Sequence, residues 1–230
     1  MSKLDFPLDS RWLQARGANI KRVLVALHGM GDSMESFVHF RDELGVDDCH
    51  LLLLNAPDRY LEGYSWYPLE PLHRPSIRRN RQALLECVRV LEREGFATHN
   101  QAWVGHSQGG LMAVDLSLNC PRRLAGVVAV SSYIWAFRGW QQAAMSLRTP
   151  VLFTHGTHDR VLRLRETQAQ VAALQDHGAP VSFRAFRKGH DFDMENEVGF
   201  IGRWVNQVWP PQRIELARRR RPETSSWLWG

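Results

Sequence analysis

Gly105-His106-Ser107-Gln108-Gly109 fits the pattern G-x-S-x-G. It lies between an apolar run, Ala102-Trp103-Val104, and a helix-like segment, Gly110–Leu116. That strand-turn-helix context is what a serine nucleophile needs. A tight, strained turn pushes the hydroxyl into the open, and the flanking glycines let strand and helix pass close together. The plainer reading is a glycine-rich turn with a capping serine. Serine is a poor nucleophile at neutral pH, so other residues must decide. It needs a base within hydrogen-bond reach, and the base needs an orienting carboxylate.

Two residues downstream fit those roles in order. Asp159 ends His155-Gly156-Thr157-His158-Asp159, after the apolar run Val151–Thr154. His190 stands in Lys188-Gly189-His190-Asp191, after Val181–Phe186. Asp191 and Asp193 are rivals for the acidic role. Asp191 is adjacent to His190 and would point elsewhere, and acidic residues just before a helix usually cap it. Asp159 is therefore preferred. His155 and His158 form H-x-x-H, but they sit in a Gly-containing turn without a third ligand at helical spacing, so no metal is expected. His155 is expected to prop the loop backbone.

A developing oxyanion needs two backbone N–H donors. Gln108 follows the serine at a helix N-terminus, where N–H groups are free and the dipole favours an anion. The second donor is expected from Met30, in His28-Gly29-Met30-Gly31 after the apolar run Val23–Leu27. Asp32 or Ser33 then caps the next helix.

These residues must be positioned by a common framework. Short apolar runs alternate with helical patterns along the chain. Strands are expected at Val23–Leu27, Leu51–Leu54, Ala102–Val104, Leu124–Ser131, Val151–Thr154 and Val181–Phe186. Helices are expected at Ser36–Leu44, Ser76–Glu94, from the elbow to Asn119, Gly139–Leu147, Arg163–His177 and Asp193–Val208. Ser76–Glu94 carries an apolar stripe of Ile77, Ala83, Leu84, Val88 and Leu91, and Gly95 stops it. Asp58–Pro75 reads as an aromatic, proline-rich loop. Alternation of this kind predicts an α/β fold, a mostly parallel sheet with helices on both faces. Ligand sites in such sheets lie beyond the C-terminal strand ends, where all the candidate residues fall.

Bulk properties bound the rest. The 230 residues, 44% hydrophobic, suit one α/β domain over 1–209. Net charge is +5, but Arg218-Arg219-Arg220-Arg221 supplies much of it, which argues against a nucleic-acid surface. Residues 210–230 read as a basic extension with Trp227 and Trp229, solvated or in peripheral contact with a membrane or partner. The three cysteines, Cys49, Cys87 and Cys120, are far apart and odd in number. Reduced thiols in a cytoplasmic protein are expected. The N-terminus has no apolar signal-peptide core, and no run is long enough to span a membrane.

Taken together, Leu27-His28-Gly29-Met30-Gly31-Asp32-Ser33, Asn55-Ala56-Pro57, Gly105-His106-Ser107-Gln108-Gly109-Gly110, Leu124–Ser131, His155–Leu162 and Gly189-His190 resemble the small phospholipase/carboxylesterase family. That family includes acyl-protein thioesterases and lysophospholipase-like esterases. The matches run in order from about Val23 to Val208. The resemblance implies an α/β-hydrolase fold without a large cap domain. It also implies ester or thioester hydrolysis through an acyl-enzyme, without a cofactor. On it Ser107, Asp159 and His190 match the triad, and Met30 and Gln108 the oxyanion donors. The chain departs from the family in having Val161-Leu162 where a proline is common. Its loop Asp58–Pro75 is shorter than in the eukaryotic thioesterases but keeps an aromatic centre, Ser65-Trp66-Tyr67. Tyr133-Ile134-Trp135, after Ser131-Ser132, is bulky. Trp66, Tyr67, Tyr133 and Trp135 are expected to line an acyl or alcohol pocket, with packing as the plain alternative. The expected substrate is a small ester of a short-to-medium acyl chain. A non-catalytic binding scaffold remains the alternative of another class.

Overall fold

The computed structural model describes residues 4–69, 73–135 and 139–210. The expected extension from 211 onward lies outside the described residues. Nine strands and six α-helices are described, in the order β1 (Ser10–Leu13), β2 (Val23–Leu27), α1 (Phe40–Leu44), β3 (His50–Leu54), β4 (Asp58–Tyr60), β5 (Gly63–Ser65), α2 (His73–Arg93), β6 (Gln101–His106), α3 (Gln108–Asn119), β7 (Gly126–Val130), α4 (Trp140–Ser146), β8 (Val151–Gly156), α5 (Leu164–Asp176), β9 (Val181–Phe186) and α6 (Glu197–Val208). Seven strands form one sheet in the order β1-β3-β2-β6-β7-β8-β9, parallel except for β1. This is the expected α/β architecture.

The central strands β2 and β7 are apolar throughout because both faces are covered. Side chains alternate across a strand. In β2, Val23, Val25 and Leu27 enter one core, and Leu24 and Ala26 the other. In β3, Leu52 and Leu54 join the first core, and Leu51 and Leu53 the second. The first core packs Ile77, Leu84 and Leu91 of α2, Met112 and Leu116 of α3 and Leu174 of α5. The second packs Phe40 and Leu44 of α1 with Ile201 and Val205 of α6. Gly95, at φ +87°, ends α2 as expected. Its N–H bonds Glu92 O at 3.0 Å, and Phe96 N–H bonds Leu91 O at 2.9 Å, which satisfies two orphan carbonyls.

Several boundaries differ from expectation. The short strand β1 was not anticipated. Only four residues long, it runs antiparallel along β3 and lacks a full alternating pattern. The helix expected at Ser36–Leu44 is a 3-10 turn, Met34–Phe37, followed by α1. Ser33 caps that turn, its side chain accepting from Glu35 N–H. Helix α6 starts at Glu197 rather than Asp193. The Asp193 carboxylate instead accepts the N–H groups of Glu195 at 3.0 Å and Asn196 at 3.1 Å. The expected loop after Asp58 contains the hairpin β4–β5. No helix among the described residues is long and apolar enough to cross a membrane.

Candidate active site

Ser107 sits between β6 and α3 at φ 52°, ψ −115°, a backbone region that L-residues with side chains rarely occupy. The surroundings hold it there. Ser107 N–H donates to Val130 O at 2.9 Å, and Ser132 Oγ donates to Ser107 O at 2.7 Å. A Cβ on Gly105 would collide with the backbone of Gly109, and one on Gly109 with the carbonyls of Leu27 and His28. The glycines thus permit the close crossing of strand and helix.

His190 reaches this serine from the loop after β9. Its Nε2 lies 3.0 Å from Ser107 Oγ, and its Nδ1 lies 2.9 Å from Asp159 Oδ2. The other Asp159 oxygen accepts the N–H groups of Val161 at 2.8 Å and Leu162 at 2.9 Å. Burial opposes ionisation of Asp159. The Leu162 N–H, the His190 imidazole and the Val161 N–H outweigh it and hold the carboxyl below its ordinary range. Asp191 and Asp193, the rivals, make no bond to His190 among the described residues. His155 lies where expected, its Nε2–H donating to Leu162 O at 3.0 Å with Asp159 Oδ2 at 3.3 Å. Burial lowers its pKa, so it props the loop as a neutral ring.

The loop after β2 faces the elbow. His28 Nε2 accepts Ala56 N–H at 3.0 Å, which leaves its Nδ1–H to donate to Gly29 O at 2.6 Å. Gly31 N–H donates to Tyr64 O at 2.8 Å, and Tyr64 N–H to Asp32 O at 2.9 Å. A Cβ on Gly63 would collide with the carbonyls of Gly31 and Asp32. The hairpin β4–β5 therefore clamps the loop that carries Met30. Met30 N–H has no acceptor among the described residues. Gln108 is the first residue of α3, where an N–H has no helical acceptor.

Three contributions were not legible in the sequence. The Gln108 side chain bonds the segment before α2: its Oε1 accepts Trp66 N–H at 3.0 Å and Ser65 Oγ–H at 3.1 Å, and its Nε2 donates to Tyr67 O at 2.8 Å. His106 Nε2–H donates to His190 O at 2.9 Å, and burial drives the His106 pKa down to about 4. Lys188 Nζ donates to Ser131 Oγ at 3.0 Å and pairs with buried Glu197 at 2.7 Å, holding the His190 loop against β7 and α6. Adjacency to Ser107 and His190 was the only signal for His106 and Lys188.

A cavity of about 380 Å³ has Tyr67, Tyr133, Ile134 and Trp135 on its walls; Tyr133 follows Ser132, whose Oγ donates to Ser107 O. The Tyr67 and Tyr133 hydroxyls lie 3.1 Å apart. A second, of about 400 Å³, is bounded by Met30, Tyr60 and Leu69. Trp66 is a correction. It is fully buried, lines neither cavity, and its indole N–H donates to His28 O at 2.9 Å. It supports the Met30 loop from inside the core, where its large ring is buried and its N–H is paired.

Comparisons with known proteins bear on the fold and the family. An esterase designated PE8 superposes with a TM-score of 0.79 at 22% identity, over 87% of this chain and 99% of that one. The chain therefore shares the fold of that esterase. An acyl-protein thioesterase 1 from Aspergillus fumigatus is 22% identical over 218 residues, 82% of this chain and 88% of its own. A probable inactive carboxylesterase from Oryza sativa subsp. japonica is 26% identical over 212 residues, 81% and 84% of the two chains. The Phospholipase/Carboxylesterase profile matches residues 11–208, and the chain belongs to that family.

Proposed function

We propose that the chain is a serine hydrolase that cleaves carboxylic esters of short-to-medium acyl chains through an acyl-enzyme. The observation that carries this is the Ser107–His190–Asp159 relay, with bonds of 3.0 and 2.9 Å. His190 Nε2 takes the Ser107 proton as Oγ attacks the acyl carbon. The N–H groups of Met30 and Gln108 receive the oxyanion. His190 then gives its proton to the departing alcohol. Water adds to the acyl-serine, His190 takes and returns its proton, and the acid leaves. Asp159 holds the imidazole in the tautomer with its proton on Nδ1 and stabilises the imidazolium. No cofactor enters these steps.

Turnover of p-nitrophenyl esters tests this reading. Ser107→Ala should remove about 10⁶-fold of the rate. Retention of more than a few per cent, with contamination excluded, would sink the nucleophile. The bulk of Tyr133, Ile134 and Trp135 supports an early end to the acyl pocket. Each buried CH₂ contributes about 0.8 kcal/mol, so kcat/KM should rise with chain length and peak at or below about eight carbons. Trp135→Ala should move the peak to longer chains. A second reading is an acyl-protein thioesterase, as one relative is named, or a lysophospholipase. A peak at palmitoyl would refute the short pocket and favour that pair, which comparison of a thioester, a lysophospholipid and a simple ester would separate.

A further inference from the structure

His190 is carried by the segment between β9 and α6, and one carboxylate oxygen holds that segment on both sides of it. Glu197 Oε2 accepts Lys188 Nζ–H at 2.7 Å and Asp193 N–H at 3.1 Å. Glu197 is fully buried at the start of α6, and Lys188 is buried with it. The Asp193 carbonyl in turn accepts the N–H groups of Glu197 and Val198, both at 3.1 Å. Main chain and side chain together close the segment on the helix.

The same clamp reaches the serine. Lys188 Nζ–H also donates to Ser131 Oγ at 3.0 Å. The residues on either side of Ser131 hold Ser107. Ser107 N–H donates to Val130 O at 2.9 Å, and Ser132 Oγ–H to Ser107 O at 2.7 Å. Lys188 O accepts the N–H of His158, the neighbour of Asp159, at 3.0 Å. Nucleophile, base and acid are thus tied to one junction at the end of β7.

Stability does not account for the pair. A buried ion pair costs desolvation, which is offset only when its remaining lone pairs are bonded. Glu197 Oε1 is buried with no hydrogen-bond partner among the described residues. Burial holds the Lys188 pKa below its ordinary range in spite of Glu197. Apolar side chains of similar size would serve the core as well. They could not fix the two ends of the segment by directed bonds.

We propose that Glu197 and Lys188 are positioning residues that hold His190 Nε2 at 3.0 Å from Ser107 Oγ. The inference rests on the hydrolase reading above and names what keeps its base in reach. Both residues act through His190. Neither side chain lines the cavity walled by Tyr133 or the one bounded by Met30, so ester binding does not depend on them.

The test is the double variant Lys188→Met/Glu197→Leu, which keeps the core filled and removes the directed bonds. Phe192, packed on Phe40 at 5.3 Å, still anchors the segment, and the thermal midpoint should change little. On p-nitrophenyl butyrate kcat should fall about 10²-fold, as for a base displaced by about 1 Å. KM should stay within about twofold, since no binding contact is lost. Labelling of Ser107 by a fluorophosphonate should slow in step with kcat. Ser131→Ala removes only the bond to β7 and should show the same split at about tenfold. It decides the matter alone if the double variant does not fold. A folded double variant that keeps its kcat overturns the positioning role and leaves the hydrolase reading standing. So does a loss carried by KM. Failure of the unmutated chain to turn over the ester overturns the hydrolase reading, and the positioning role falls with it.

Discussion

Replacing Asp159 by Asn probes the relay at the point where geometry makes the sharpest statement. Asp159 Oδ1 accepts two backbone N–H groups, from Val161 at 2.8 Å and Leu162 at 2.9 Å. In the variant the amide oxygen must keep that position, since an NH₂ there would face two donors. The NH₂ then takes the place of Oδ2, 2.9 Å from His190 Nδ1. It can only donate, so Nδ1 must accept and the imidazole proton moves to Nε2. Nε2 then donates to Ser107 Oγ instead of receiving its proton. Base catalysis is lost without any displacement of the ring. The expected loss in kcat is about 10⁴-fold, or about 5 kcal/mol of barrier at 1.36 kcal/mol per decade. KM should change little, because Asp159 is buried behind His190. Steady-state kinetics on p-nitrophenyl butyrate, with the variant's unfolding curve as a control, measure both. A variant keeping a tenth of the activity, or a crippled Asp191→Asn with a healthy Asp159→Asn, would refute the assignment of the acid.

Burial lowers the pKa of His28, His106 and His155, with His106 at about 4 against an ordinary 6.5. Between those values the unfolded chain binds protons that the folded chain does not, so stability must fall as pH drops through that window. Thermal unfolding at pH 7, 6, 5 and 4 checks this, and a midpoint that holds steady or rises contradicts it. Through the upper part of that window His106 stays neutral, so there the acid limb of log kcat/KM should have a slope of one; a slope of two would mean that a second group must lose its proton. Gly63→Ala should lower kcat by about 10–10²-fold through the Met30 loop, and unchanged kinetics would remove the hairpin from the account. Asp115→Ala breaks a bidentate pair with Arg81, both bonds 2.7 Å, that ties α2 to α3. It should cost about 3–5 kcal/mol in urea unfolding, and a loss below about 1 kcal/mol would show the pair to be dispensable.

The sequence made the framework legible because buried parallel strands are continuous apolar runs. Val23–Leu27 was placed to the residue in this way, and so was Val181–Phe186, an edge strand in which exposed Ser182 and Arg184 alternate with apolar residues. The relay was legible because each of its members follows such a run. What escaped detection lacks a local signal. β1 is half-exposed and only four residues long, and its pairing with β3 is non-local. The hairpin β4–β5 has three-residue strands within a segment whose prolines and aromatics read as loop. Trp66 looked like a pocket residue because an aromatic in a loop can equally face solvent or core. Its indole bond to His28 O depends on a strand 38 residues earlier. The bonds from Gln108, His106 and Lys188 likewise join residues 41 to 84 positions apart, or a loop to a helix, and follow from the fold alone.

The central claim is that Ser107 is a nucleophile activated by His190, in a family whose relatives include one named as probably inactive. Incubation with a fluorophosphonate, followed by intact mass and peptide mapping, tests it most directly. The account predicts one adduct per chain, with fluoride displaced, on the peptide carrying Ser107. Labelling should be absent in Ser107→Ala and slowed in Asp159→Asn. A folded chain that takes up no label, or an adduct on any other residue, would contradict it.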